Sequence, residues 1–196
     1  MGAIMRRLLS INVILTGLTF LIAADASAAQ TEVIDRLKSG GHILMIRHAL
    51  APGSGDPPNF KISDCSTQRN LAESGRIQAR RIGMWLRYNG IKSARIYSSQ
   101  WCRCLDTARL IDLGPVQELA ALNSFYEKIE NREPNLRALN QFISQQPVDG
   151  KLVIFVTHFV TITAIAGTGV SSGEGVLLEL QKDMPYTVVG RLNFEQ

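Results

Sequence analysis

The residues able to do chemistry stand just beyond four short apolar runs. Arg47-His48 follows residues 43–46. Ser98-Ser99 follows residues 94–97, with Arg103 one helical turn further on. Glu118 follows Pro115-Val116, and Thr157-His158 follows residues 152–156. Two guanidiniums offer forked N–H donors that match the oxygens of a phosphate. A neutral imidazole can attack phosphorus and carry the phosphoryl group covalently. A second imidazole can donate to the oxygens in transfer, and a carboxylic acid can protonate the leaving oxygen. As a set, these residues read as phosphoryl-transfer chemistry. Singly, each has a plainer reading: a core histidine at a strand end, a solvated helix arginine, a surface glutamate. The plainer reading weighs most on Glu118, because most glutamates lie at the surface.

The set works only if the fold gathers it. Short continuous apolar runs suit strands buried on both faces of a parallel sheet. Between them the periodicity predicts helices. One runs over 73–89 with Ala79, Ile82, Trp85 and Leu86 on one face, and one over 101–111 with Leu105, Ala108 and Ile111 in register. A third is opened by Pro134 and carries Leu139 and Ile143, and a Thr-rich fourth covers 160–166. A shorter helix at 31–39 stops at Gly40-Gly41. Residues 175–180 and 186–192 read as a terminal hairpin or a pair of edge strands. The alternation predicts a three-layer α/β/α sandwich with a mainly parallel central sheet. In such sheets ligands sit beyond the carboxyl ends of the strands, where all four motifs fall. The stretch from Ala49 to Cys65, broken by Pro52, Gly53, Gly55, Pro57 and Pro58, reads as a long loop beside the site.

A chain of 196 residues, 45% hydrophobic and 19% charged, is globular in composition and long enough for one α/β domain. Three Cys and three His exclude a cysteine-dense scaffold and a four-thiolate zinc site. The net charge of +4 is only mildly basic, and no nucleic-acid partner is expected from it. Arg6-Arg7, a diluted apolar stretch over 8–24 and Ala26-Ser27-Ala28 form the pattern of a bacterial signal peptide cleaved after Ala28. The apolar stretch is too short and interrupted for a stable membrane span. The expected organisation is a signal peptide over 1–28 and one domain over 29–196, in the periplasm or secreted, where disulfides persist. Of Cys65, Cys102 and Cys104, the last two are too close to pair easily. Cys65 with either of them, or three free thiols, are the readings the residues allow.

The motifs, in order, resemble those of the histidine phosphatase superfamily, the phosphoglycerate-mutase-like fold. Leu44-Met45-Ile46-Arg47-His48-Ala49 resembles its first-strand signature. Leu71-Ala72-Glu73-Ser74-Gly75-Arg76-Ile77-Gln78-Ala79 is similar to its usual Leu-Thr-x-x-Gly-x-x-Gln-Ala helix start. Residues 98–108 resemble its Ser-Ser-Pro-x-x-Arg-x-x-Gln-Thr-Ala motif, and Val156-Thr157-His158 its second histidine motif. The resemblance spans residues 42 to about 192. It implies that His48 is the nucleophile, that Arg47, Arg103 and His158 bind the phosphoryl group, and that Glu118 is the general acid, with Glu127 next in line. It implies neither metal nor cofactor. It also implies a Cys65–Cys102 bridge, by likeness of the segments around those cysteines to an exported bacterial branch.

This chain departs from the pattern at Ala49 and Phe159, where glycine is usual, and at Gln100 and Asp106. The family's phosphate-contacting Asn has no counterpart at its usual spacing; Asn59 is the stand-in. Arg69 reads as a structural or rim arginine, His42 as structural, and Trp85 and Trp101 as packing residues. The expected activity is metal-independent hydrolysis of phosphate monoesters on a small or accessible substrate. The rival from another class is a non-catalytic phosphate- or polyanion-binding module on the same fold.

Overall fold

The computed structural model describes residues 31–194; the expected signal peptide over 1–28 and its expected cleavage site lie outside the described residues. Six strands form one sheet: β1 (His42–Arg47), β2 (Arg95–Ser98), β3 (Val116–Glu118), β4 (Val153–Thr157), β5 (Gly175–Leu180) and β6 (Tyr186–Leu192). Their spatial order is β3-β2-β4-β1-β5-β6. The four strands from β3 to β1 are mutually parallel, while β5 and β6 run antiparallel at the far side. The helices are α1 (31–39), α2 (Glu73–Tyr88), α3 (Cys102–Ile111), α4 (Arg132–Ser144) and α5 (Phe159–Ala166).

The central strands are apolar on both faces because both faces are covered. Leu44 and Ile46 of β1, with Ile154 and Val156 of β4, pack against Leu37 of α1, Ile82 and Leu86 of α2, and Ala108 and Ile111 of α3. The alternate residues Ile43, Met45, Val153 and Phe155 pack against Leu139 and Ile143 of α4 and Ile162 and Ile165 of α5. This is the three-layer sandwich expected from the alternation of elements. One expectation changes. Residues 175–180 and 186–192 do pair with each other, but β5 also pairs with β1 and so lies inside the sheet. Its burial explains this: five of its six residues are buried, as a strand with neighbours on both sides and helices above and below requires.

Parallel pairing aligns the strand ends. Arg47 stands opposite Thr157, and Ser98 opposite both Val156 and Glu118. The His48 amide donates to the Thr157 carbonyl at 2.9 Å, and the Ser99 amide to the Val156 carbonyl at 2.9 Å. The motifs are thereby brought to one edge of the sheet. Two irregular segments wall that edge: the loop between β1 and α2, and the stretch from β3 to α4 with its short 3-10 turns.

Candidate active site

The end of β1 is held from three sides. The Ala49 amide donates to the Thr107 hydroxyl at 3.0 Å, and that hydroxyl donates to the Arg103 carbonyl at 2.7 Å. The Leu50 amide donates to the Gln78 side chain at 3.0 Å. The Gly173 amide donates to the Arg47 carbonyl at 3.1 Å. Gly75 lets α2 pass close by, since a Cβ there would lie 2.1 Å from the Leu50 carbonyl oxygen. Gly75, Gln78 and Thr107 therefore act by fixing the backbone that carries His48.

His48 is buried, and its Nδ1 lies 2.8 Å from its neighbour Ala49's carbonyl oxygen. A carbonyl only accepts, so Nδ1 carries the proton and Nε2 the lone pair. Burial is the main effect that pushes the imidazole's pKa down to about 3. The hydrogen bond to Ala49 opposes it, while Arg103, Arg47 and Arg69 add to it. The ring is therefore neutral at physiological pH. His158 meets His48 edge-on, with ring centroids 5.6 Å apart, and burial followed by Arg103 holds its pKa well below the usual value. Its Nε2 contacts the Ser99 hydroxyl at 2.8 Å. Ser99 in turn donates to the Asn123 side-chain oxygen at 3.2 Å, which also accepts the Gln100 amide at 2.9 Å. Helix α5 begins at the next residue, so the positive end of its dipole abuts the site.

Three guanidiniums line the same cavity, of about 650 Å³, together with both histidines. Arg47 donates to the Val170 carbonyl at 3.1 Å and lies over the Phe159 ring at 5.4 Å. Arg103 donates to Asp56 at 2.8 Å, and both side chains are about 95% buried. Arg69 donates through Nε to the Gly55 carbonyl at 2.7 Å and through Nη1 to the Ala51 carbonyl. The Nε atoms of Arg47 and Arg103 are buried and meet no protein acceptor. Unpaired buried donors of this kind fit an incoming oxyanion. Among the described residues no group of three or more His, Cys, Asp or Glu could hold a metal ion.

The structure brings Arg47, His48, Arg103 and His158 together. Glu118 stands apart: it is exposed at the end of β3, accepts from Gln100 at 3.3 Å and does not line the cavity. Glu127 does line it, and its carboxylate accepts the Asp56 amide at 2.6 Å. Asn59 is exposed and outside the cavity, whereas Asn123 lines it. Arg69 and Trp101, read from sequence as rim and packing residues, are both on the cavity wall. The Trp101 ring stacks on Phe60 and meets His158 edge-on at 5.3 Å. Asp56 was not singled out in the sequence; its only signal is a carboxylate inside a Gly/Pro loop near the nucleophile.

A disulfide joins Cys65 to Cys102, the residue before Arg103, while Cys104 is a buried free thiol whose pKa burial pushes up to about 12. The bridge ties the Asp56 loop to the start of α3. Gln68 reinforces it by accepting the Cys102 amide at 2.9 Å.

Residues 43–133 match the family model of the histidine phosphatase superfamily, branch 1. Among solved structures, the protein histidine phosphatase SixA complexed with tungstate is 14% identical and has a TM-score of 0.55. The match covers 78% of this chain and 97% of that one. A mycobacterial glucosyl-3-phosphoglycerate phosphatase is 16% identical over 76% of this chain and 97% of its own, with a TM-score of 0.54. The product of a Mycobacterium tuberculosis open reading frame is 17% identical over 76% and 95%, also with a TM-score of 0.54. No curated protein sequence gives a significant match. Residues 43–133, which carry the first histidine and the motifs that follow it, belong by this match to the histidine phosphatase superfamily, and the fold shared with the phosphatase SixA covers 78% of the chain.

Proposed function

We propose that this chain is an exported phosphatase that hydrolyses phosphate monoesters through a phosphohistidine on His48. Membership of the superfamily and the phosphatases among its structural neighbours support phosphatase activity. The observation that carries the finer reading is the His48 ring. It is neutral, its proton is engaged on Nδ1 by the Ala49 carbonyl, and its Nε2 lone pair is left for attack. In the first step Nε2 forms a bond to phosphorus as the ester P–O bond breaks. In the second, water attacks phosphorus and the P–N bond breaks, which returns the ring to its starting form. Arg47, Arg103 and His158 hold the phosphoryl oxygens, and the charge of the two guanidiniums takes the part a metal ion would play. The leaving alkoxide takes a proton from a carboxylic acid. Glu127, on the cavity wall, is better situated for this than Glu118.

Export is supported by the signal-like pattern of residues 1–28 and by the Cys65–Cys102 disulfide, which an oxidising compartment preserves. Among the described residues no helix is long and apolar enough to cross a membrane. The test is steady-state hydrolysis of p-nitrophenyl phosphate from pH 4 to 8, with and without EDTA, beside His48→Ala. Turnover that resists EDTA and disappears in His48→Ala is expected. Phosphate or vanadate binding without turnover would replace the enzyme with a binding module.

A further inference from the structure

The phosphoryl group fills only a small part of a cavity of about 650 Å³, a size that elsewhere encloses a whole small-molecule ligand. Part of the rest is walled by rings, with Ser124, Asn131 and Asn135 lining it elsewhere. Phe60 and Trp101 stack with centroids 5.1 Å apart and planes 18° from parallel. Trp101 also meets the buried His158, so this wall begins where the phosphoryl pocket ends. Tyr126 and Ile62 continue the cavity wall and are 64% and 39% exposed. Large apolar groups gathered at the mouth of a charged pocket are a costly surface unless something covers them. The charges in this outer part are Glu127 and the adjacent Lys128, which cancel. A leaving group with further negative charge therefore meets the Glu127 carboxyl as well as Lys128 and gains no net attraction, whereas an uncharged ring finds flat apolar surface.

From this juxtaposition we propose that the preferred substrate is a phosphate monoester of an uncharged alcohol bearing a ring. The ring packs against the Phe60–Trp101 and Tyr126 surfaces while the phosphoryl group sits on Arg47 and Arg103. The proposal rests on the phosphatase reading for where the phosphoryl group binds, but it can be tested without turnover. Titration calorimetry of the purified protein would compare three non-hydrolysable probes: benzylphosphonate, cyclohexylmethylphosphonate and ethylphosphonate. The first two distinguish an aromatic from a saturated ring, and the third has none.

Burying one ring face corresponds to about tenfold in affinity. At least one ring probe is therefore expected to bind about ten times more tightly than ethylphosphonate. That contrast should shrink to less than threefold in Phe60→Ala or in Tyr126→Ala, the latter at an exposed position that folding tolerates. Ethylphosphonate should bind both variants as it binds the wild type. A contrast below threefold in the wild type, or one that survives in both variants, overturns the proposal. Selective phosphonate binding without any ester hydrolysis would leave the ring subsite standing and would count against the phosphatase reading alone.

Discussion

Replacing Asp56 by Asn removes one charge from a buried pair while nearly keeping the shape. Each Asp56 oxygen accepts two hydrogen bonds: Oδ1 from Arg103 Nη1 at 2.8 Å and the Arg69 amide at 2.9 Å, Oδ2 from Trp101 Nε1 at 3.0 Å and Arg103 Nη1 at 3.1 Å. Asparagine has one acceptor oxygen, so half of these bonds are lost and an N–H group is turned toward donors. Breaking a buried ion pair on one side costs about 3–5 kcal/mol in a dry interior. Here the pair borders an open cavity instead of a closed core, so about 2–3 kcal/mol is the reasoned cost. For a domain of this size that is a fall of roughly 5–10 °C in Tm.

The sign of the pH dependence follows from the same contacts. Burial pushes the Asp56 carboxyl up. The hydrogen bonds from Arg103, the Arg69 amide and Trp101 outweigh it and hold the carboxyl below its ordinary 3.8. Its contribution is then fully present above the ordinary value and is lost as pH falls through the depressed one. Thermal unfolding at pH 7 and at pH 3 is the assay. The wild type and Asp56→Asn should differ by roughly 5–10 °C at pH 7 and by less at pH 3. Inorganic phosphate should restore more Tm in the variant than in the wild type, because an anion can pair with the vacated Arg103. A difference under 2 °C at pH 7 with no extra phosphate gain would refute the reasoning.

Three further outcomes follow from other contacts. Because burial and the neighbouring guanidiniums hold His48 near pKa 3, its imidazole signal in an NMR titration should stay at the neutral position from pH 5 to 8. A midpoint near 6.5 would show that the ring is not desolvated as described. Gly75→Ala should lower both Tm and hydrolysis, since the new Cβ would lie 2.1 Å from the Leu50 carbonyl oxygen. Helix propensity alone predicts a gain of about 1 kcal/mol, so a stabilised variant would show the close approach to be irrelevant. The Cys65–Cys102 bridge closes a separation of 37 residues, worth about 3–4 kcal/mol of unfolded-state entropy. The double Ala variant should lose more than 5 °C in Tm, and an unchanged Tm would argue that the bridge constrains nothing.

The sheet was legible because its strands answer to burial on both faces. In β1, Leu44 and Ile46 turn to one helical layer and Ile43 and Met45 to the other, which leaves an unbroken apolar run. The helices announced themselves by one-sided periodicity, as in α2, where Ala79, Ile82 and Leu86 are buried. Parallel strands then gathered Arg47, His48, Arg103 and His158, whose order in the chain follows the strand ends. Position β5 was open to better reading: its sequence Gly-Val-Leu-Leu-Glu-Leu is too apolar for an edge strand. The loop over 49–65 was legible as a loop beside the site, but not which of its residues reach in. Asp56 and Asn123 reach the site through turns set by tertiary contacts, such as the Glu127 carboxylate on the Asp56 amide, and no periodicity reports such contacts. Glu118 illustrates the converse: as the last residue of β3 it stands at the sheet edge that carries the site, but its side chain is left in solvent.

In the proposed reaction His48 carries the phosphoryl group. The direct measurement is intact-mass and peptide analysis of protein mixed with p-nitrophenyl phosphate for milliseconds and quenched into alkali, where phosphohistidine survives. A protein heavier by one phosphoryl group is expected, with the modification on the peptide containing His48 and absent from His48→Ala. Steady turnover with no such species, and persisting in His48→Ala, would contradict it.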